Sequence, residues 1–232
     1  MKKFPHNQKF DSQFAKIENI TWYPYIGQNF ESESNKRIIV YAHNIPFQEE
    51  NFDNEVKRTS SKTFFANVLD EYTFINENWS ASFRNFIKGA VGLTSNYSNS
   101  SSPEILTRIA QFVRKIAYTN FIDGLVKTNS KTNVYIPLEQ IERSKKLNLQ
   151  ILQILNITHC ICWGKEVYNH VCSYSQKPIK EEELTTGFGR TTIQLITGQT
   201  IKVLKIFHPS MPNFRHLQKT THDIFSEFLE KY

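Results

Sequence analysis

Four places in the chain bring hydrogen-bonding side chains to the end of a short apolar run. Residues Arg37 to Ala42 lead into His43-Asn44-Ile45-Pro46-Phe47, and Lys115 to Thr119 lead into Asn120-Phe121. Thr158 to Trp163 run into Gly164-Lys165, and Lys202 to Phe207 into His208-Pro209-Ser210. Carboxamides and imidazoles can orient a water, pair with a ring that carries both donors and acceptors, and stabilise charge that develops on a bound molecule. The set contains no obvious nucleophile, no set of metal ligands and no glycine loop to cradle phosphate. Chemistry by positioning and hydrogen bonding is what these residue types offer.

Delivering those groups to one place requires particular elements. The four runs are short and rich in β-branched and aromatic residues, which suits central strands covered on both faces. Helical patterns separate them. Ser102-Pro103-Glu104 forms a helix start, with Ser102 as cap, Pro103 lacking an amide hydrogen and Glu104 at the positive end. Pro137 opens a longer helix with Leu147, Ile151, Ile154 and Leu155 on one face. Further helices are expected over Phe64 to Leu69, Ser82 to Val91, Gly164 to Val171 and Phe214 to Tyr232, and an extra hairpin over Gly187 to Gly198. Alternating strands and helices imply an α/β fold: a three-layer α/β/α arrangement with a central, mainly parallel four-stranded sheet. The expected unit is a single domain over residues 1–232, with residues 1–20 as an N-terminal extension and 94–102 as a flexible loop. In such sheets the active site lies beyond the carboxyl ends of the strands.

Bulk properties fit that picture. The chain has 232 residues, 39% hydrophobic and 13% aromatic, too rich for disorder and large enough for a sizeable core. No run is long enough to cross a bilayer, and the basic start Met1-Lys2-Lys3 leads into polar residues instead of an apolar stretch. The expectation is a cytoplasmic protein with no membrane partner. Cys160 and Cys162, two apart on a strand, share a side and suit small buried hydrophobes, so no metal and no cofactor is expected. The 28 basic and 22 acidic residues leave a net charge of +6, which suits a polyanionic partner such as DNA.

The order of these elements resembles the uracil-DNA glycosylase superfamily over roughly residues 20 to 232, especially its divergent bacterial members. The resemblance rests on Tyr23-Pro24-Tyr25-Ile26-Gly27-Gln28-Asn29-Phe30 before the first strand, on Asn120 closing the second, and on His208-Pro209-Ser210 after the last. Relatives read Gly-Gln-Asp-Pro-Tyr, Gly-x-Asn-Pro-Gly or Gly-Glu-x-Pro-Gly after the first strand. Here Ala42-His43-Asn44-Ile45-Pro46 replaces the glycine and shifts the proline by one.

The resemblance implies a monofunctional DNA glycosylase that extrudes a pyrimidine nucleotide, hydrolyses its glycosidic bond and works as a monomer on DNA. Asn44 or His43 would orient the water, and His208 would donate to the pyrimidine O2. Asn120 would read the base edge, with Phe47 as stacking platform and Tyr41 as a further aromatic near the base. Ser210, Met211 and Phe214 would contact phosphate and wedge into the duplex, and Lys165 would lie near phosphate. The altered first motif opens the expectation to C5-modified pyrimidines, including those of phage DNA, as well as uracil. A catalytically inactive DNA-binding or modified-base-sensing protein on the same fold is the competing expectation.

Overall fold

All four apolar runs become adjacent parallel strands in the computed structural model of the chain. It describes residues 4–32, 36–47, 51–74, 81–97, 101–128, 134–185, 187–212, 214 and 218–230. The strands are β1 (Tyr25–Ile26), β2 (Ile38–Ala42), β3 (Ile45–Phe47), β4 (Ile116–Asn120), β5 (Leu125–Lys127), β6 (His159–Trp163), β7 (Glu182–Thr185), β8 (Phe188–Gln194) and β9 (Thr200–Ile206). The helices are α1 (Asp11–Phe14), α2 (Phe52–Arg58), α3 (Phe64–Phe74), α4 (Ala81–Val91), α5 (Pro103–Val113), α6 (Leu138–Ile154), α7 (Lys165–Cys172) and α8 (Gln218–Glu230).

The central sheet has seven strands in the order β1-β4-β2-β6-β9-β8-β7, not the four expected. Its middle four, β4-β2-β6-β9, are mutually parallel; β1, β8 and β7 add antiparallel edges. The missed strands lack the signal that revealed the others. β1 is two residues long, and β7 begins with exposed Glu182 and Glu183. The hairpin expected near Gly187 to Gly198 exists, but its second arm is β9 itself, joined to β8 through a turn in which Leu195 and Gln199 hydrogen-bond at 2.9 Å. A separate ladder pairs β3 with β5.

Side-chain alternation divides the core into two layers. Ile38, Val40 and Ala42 of β2 face a cluster with Phe64, Phe65, Phe83, Phe86 and Phe225. Ile39 and Tyr41 face the other cluster, with Leu147, Ile151, Val167 and Val171. Helices α3, α4, α5 and α8 thus cover one side, and α6 and α7 the other. Helix α5 starts as its sequence requires, with Ser102 Oγ accepting the Ile105 amide at 3.5 Å and Pro103 in the first turn. Cys160 and Cys162 are buried on one side of β6 with their sulfurs 3.6 Å apart. Among the described residues no helix is long and apolar enough to cross a membrane.

The segment before β1 is part of the core, not an appendage: Phe4, Phe10, Phe14, Ile17 and Ile20 are all buried. It is anchored at Asp123, whose carboxylate accepts the Thr21 amide at 2.9 Å and the Trp22 amide at 3.3 Å. In the tract expected to be a flexible loop, Tyr97 is buried, and residues 98–100 lie outside those described.

Gly27 shows how closely the edge strand approaches. Its amide donates to the Ile116 carbonyl at 2.9 Å, and a Cβ there would overlap the Arg114 backbone carbonyl. Backbone cannot swing aside as a side chain can. Gly27→Ala is therefore expected to destabilise the fold by about 1–3 kcal/mol, the usual cost of overpacking, read as a lower urea midpoint at unchanged slope.

Candidate functional site

At the carboxyl ends of the parallel strands lies a cavity of about 640 Å³. Each strand contributes through its last residues. The β2 end supplies Ala42, His43, Asn44, Ile45 and Pro46; β4 supplies Tyr118 and Asn120; β6 supplies Trp163; the turn after β9 supplies His208 and Ser210. Three helices close the other walls, with Glu55 and Arg58 from α2, Phe65 and Val68 from α3, and Ser82 and Phe83 from α4.

Backbone hydrogen bonds fix the strand ends relative to one another. The Phe121 amide donates to the Ala42 carbonyl at 2.7 Å and the Ile122 amide to the His43 carbonyl at 2.9 Å, locking the tail of β2 against the end of β4. The Gly164 amide donates to the Ile206 carbonyl at 2.8 Å, and Gly164 turns the chain into α7 at φ +89°, a conformation that glycine adopts freely. The His208-Pro209-Ser210 turn is held from outside, because Asn85 Nδ2 donates to the Pro209 carbonyl at 3.0 Å.

Three polar side chains inside have no hydrogen-bond partner for a side-chain donor or carboxamide among the described residues. Asn120 is 6% exposed, and no hydrogen bond reaches its carboxamide among the described residues; its backbone pairs with β2 at Ala42, and its carbonyl also accepts from Thr119 Oγ1 at 3.5 Å. Asn44 Nδ2 and Trp163 Nε1 are buried donors without partners among the described residues. Leaving a buried donor unpaired costs about 1–3 kcal/mol. Asn148, another buried carboxamide, shows the contrast. Its Nδ2 donates to the Phe121 carbonyl at 2.6 Å and the Ser144 carbonyl at 2.8 Å.

His208 is half-buried beside the Trp163 ring, edge to face at 5.8 Å and 89°. Its Nδ1 accepts the Ser210 amide at 3.3 Å and stands 2.7 Å from Ser210 Oγ. A backbone amide can only donate, so the neutral ring carries its proton on Nε2. Burial lowers the His208 pKa to about 4, with the nearby His43 adding to the effect. His43 lies with Nε2 3.2 Å from Glu166 Oε2. Burial lowers its pKa too, while the Glu166 carboxylate opposes the shift.

The fold gathers His43, Asn44, Asn120, His208 and Ser210 at one cavity. It does not bring Tyr41, Phe47 or Phe214 there. Tyr41 precedes Ala42 and so faces the opposite side of the sheet, fully buried and edge-on to Phe121 at 5.7 Å. Phe47 closes β3 opposite Lys127, away from the cavity lining. Phe214 is fully buried in the core with Phe86 and Phe225, so it has no surface to insert between bases. Met211 is 48% exposed in the turn after Ser210, and Lys165 is exposed at the start of α7. The aromatic walls come instead from Phe65, Phe83, Tyr118 and Trp163. Of these, Tyr118 was traceable from alternation, since it shares the face of Asn120 two residues on. Phe65 and Phe83 arrive through helix packing, for which the sequence holds no local signal.

Comparison with protein-family models and with curated proteins finds no match to this chain.

A depressed histidine pKa leaves a signature in stability. Between about 4 and the ordinary 6.5, the unfolded chain binds protons that folded His208 and His159 refuse; burial lowers the His159 pKa to about 4 as well. Their contribution to stability is therefore full above 6.5, falls as pH drops through this window, and levels off below about 4. Urea midpoints measured from pH 7.5 to 4 should show that fall, with a shallower slope in His208→Gln and in His159→Gln.

Proposed function

We propose that the chain is a DNA glycosylase of the uracil-DNA glycosylase superfamily. It would hydrolyse the glycosidic bond of an extruded uracil or C5-modified pyrimidine and leave an abasic site. The observation that carries this reading is the unpartnered Asn120 carboxamide, sharing one aromatic-walled cavity with an imidazole held neutral. A pyrimidine edge needs a donor and an acceptor side by side, which a carboxamide supplies. The departing base gathers negative charge, and a neutral imidazole with its proton on Nε2 can donate to that charge without binding the anion as a salt.

The reaction follows from these parts. Extruding the nucleotide costs a few kcal/mol of unstacking before the cavity surrounds the base. Phe65, Phe83, Tyr118 and Trp163 offer apolar surface to its faces. Asn120 reads its edge, and His208 donates to the developing anion. Asn44, at the tail of β2, orients the water that attacks the cationic sugar, a task of positioning more than of proton removal.

Two further features support the DNA assignment and the breadth of substrate. Exposed Met211 and Lys165 flank the strand ends, offering an apolar contact and a cation beside the cavity. No aromatic ring of the 43–47 segment lines the cavity; Ile45, Pro46 and the Glu55 and Arg58 side chains stand there instead. That composition leaves room and polar partners for a substituent on the base.

Mass spectrometry of free bases tests the reading. Oligonucleotides carrying deoxyuridine, 5-hydroxymethyldeoxycytidine, thymidine or deoxycytidine, together with phage DNAs bearing modified pyrimidines, should yield one released base class. Asn120→Ala and His208→Ala should each lower release by about 10²–10³-fold, equivalent to the roughly 2.7–4 kcal/mol of one preorganised donor, while DNA binding by fluorescence anisotropy is retained. Binding without release from any substrate would replace the enzyme by a base-sensing protein.

A further inference from the structure

We infer that Glu166 is a positioning residue, which turns His43 so that its second ring nitrogen accepts the proton of the attacking water. This role rests on the glycosylase reading, in which Asn44 orients the water and nothing yet receives its proton.

Both partners are held by the fold. His43 is fixed through its own carbonyl, which accepts the Ile122 amide at 2.9 Å. Glu166 lies in the first turn of α7, whose start is tied to the end of β9 by the Gly164 amide at 2.8 Å. The two side chains meet with His43 Nε2 3.2 Å from Glu166 Oε2. An ionised carboxylate can only accept, so its place beside Nε2 favours the ring proton there and leaves the Nδ1 lone pair as the basic site. His43 also lines the cavity beside Asn44. A carboxylate behind an imidazole fixes the tautomer and steadies the imidazolium that forms.

The step balances without any other reagent. As the C1′–N bond of the nucleotide breaks, its electron pair leaves with the base. The water oxygen bonds to C1′, and one water proton passes to His43 Nδ1. The resulting imidazolium keeps its Nε2 proton directed at Glu166, and the Nδ1 proton later goes to the pyrimidine anion. One water is consumed; a free base and an abasic sugar result.

The charged and titratable groups around His43 are few. Glu166 and His170 come from α7, with the His170 ring stacked on Phe121 at 5.1 Å and 8°. His208 comes from the turn after β9, and Glu55 and Arg58 from α2 line the same cavity. Glu166 is the carboxylate in contact with the ring, and its side chain is 77% exposed, so replacing it should leave the fold intact.

The experiment compares wild type with Glu166→Gln and Glu166→Ala. Nitrogen-15 NMR titration reads the His43 tautomer and midpoint, and base release is followed against pH on deoxyuridine and 5-hydroxymethyldeoxycytidine oligonucleotides. Wild type should show the Nε2–H tautomer. Glu166→Gln keeps an acceptor but loses the charge, so the His43 midpoint and the acid limb of kcat should move together to lower pH. Glu166→Ala should lose the single tautomer and lower kcat about tenfold at unchanged KM, part of the roughly 10²–10⁴ a positioned base contributes. An Nδ1–H tautomer in wild type, or an acid limb that stays while the His43 midpoint moves, overturns the role and leaves the glycosylase reading standing. A wild type silent on both oligonucleotides counts against that reading, and this role falls with it.

Discussion

The register of the four parallel strands is the constraint on which the site depends. Ala42 pairs with Asn120 across β2 and β4, and Trp163 with Ile206 across β6 and β9. Because side chains alternate, Ala42, Tyr118, Asn120 and Trp163 emerge on one face, at the edge where the strands stop. Sliding one strand by a single residue would send its contribution to the other face, into the layer that holds Tyr41 and Cys162. Both faces are apolar and buried, so such a slip would also bury the wrong residues. The packing that stabilises the sheet thereby sets the geometry of the cavity.

Several buried or half-buried polar groups away from the cavity are paired within the fold. Asp123 collects the amides of Thr21 and Trp22, its own backbone carbonyl accepts from Gln140 Nε2 at 3.0 Å, and Gln199 Nε2 donates to the Ile157 carbonyl at 2.7 Å. Asn44 Nδ2 and Trp163 Nε1, buried donors without partners among the described residues, share one cavity with Asn120, while Tyr41 Oη, His159 Nε2 and Tyr168 Oη are unpaired outside it. Asn148 is satisfied twice within the fold, whereas the Asn120 carboxamide has no hydrogen bond among the described residues and faces the cavity, where a ligand could meet it.

Much of this was legible in the sequence because the responsible physics is local. Short β-branched runs marked β2, β4, β6 and β9, the Ser102-Pro103 pair marked α5, and the polar residues following each run marked His43, Asn44, Asn120 and His208 as a convergent group. The edges were not legible: β1 is too short to show a period, and β7 is polar. Assignments that needed tertiary direction fared worse. Tyr41 follows strand alternation to the far face, and Phe214 enters the core beside α4 instead of reaching solvent. Glu166 had no mark at all, since its meeting with His43 joins residues far apart in the chain.

The two cavity histidines sit in different electrostatic surroundings. Burial lowers the pKa of both rings, and the nearby His43 adds to the shift at His208. Only His43 has a carboxylate against its ring, and that contact favours its charged form. His208 has instead a backbone amide and a serine hydroxyl at Nδ1, contacts that suit a neutral ring with its proton on Nε2. Under the proposed glycosylase reading, a proton released at the site would therefore go to His43, with His208 as the neutral donor. Two chemically identical side chains are thus set in different electrostatic surroundings by what stands behind each of them.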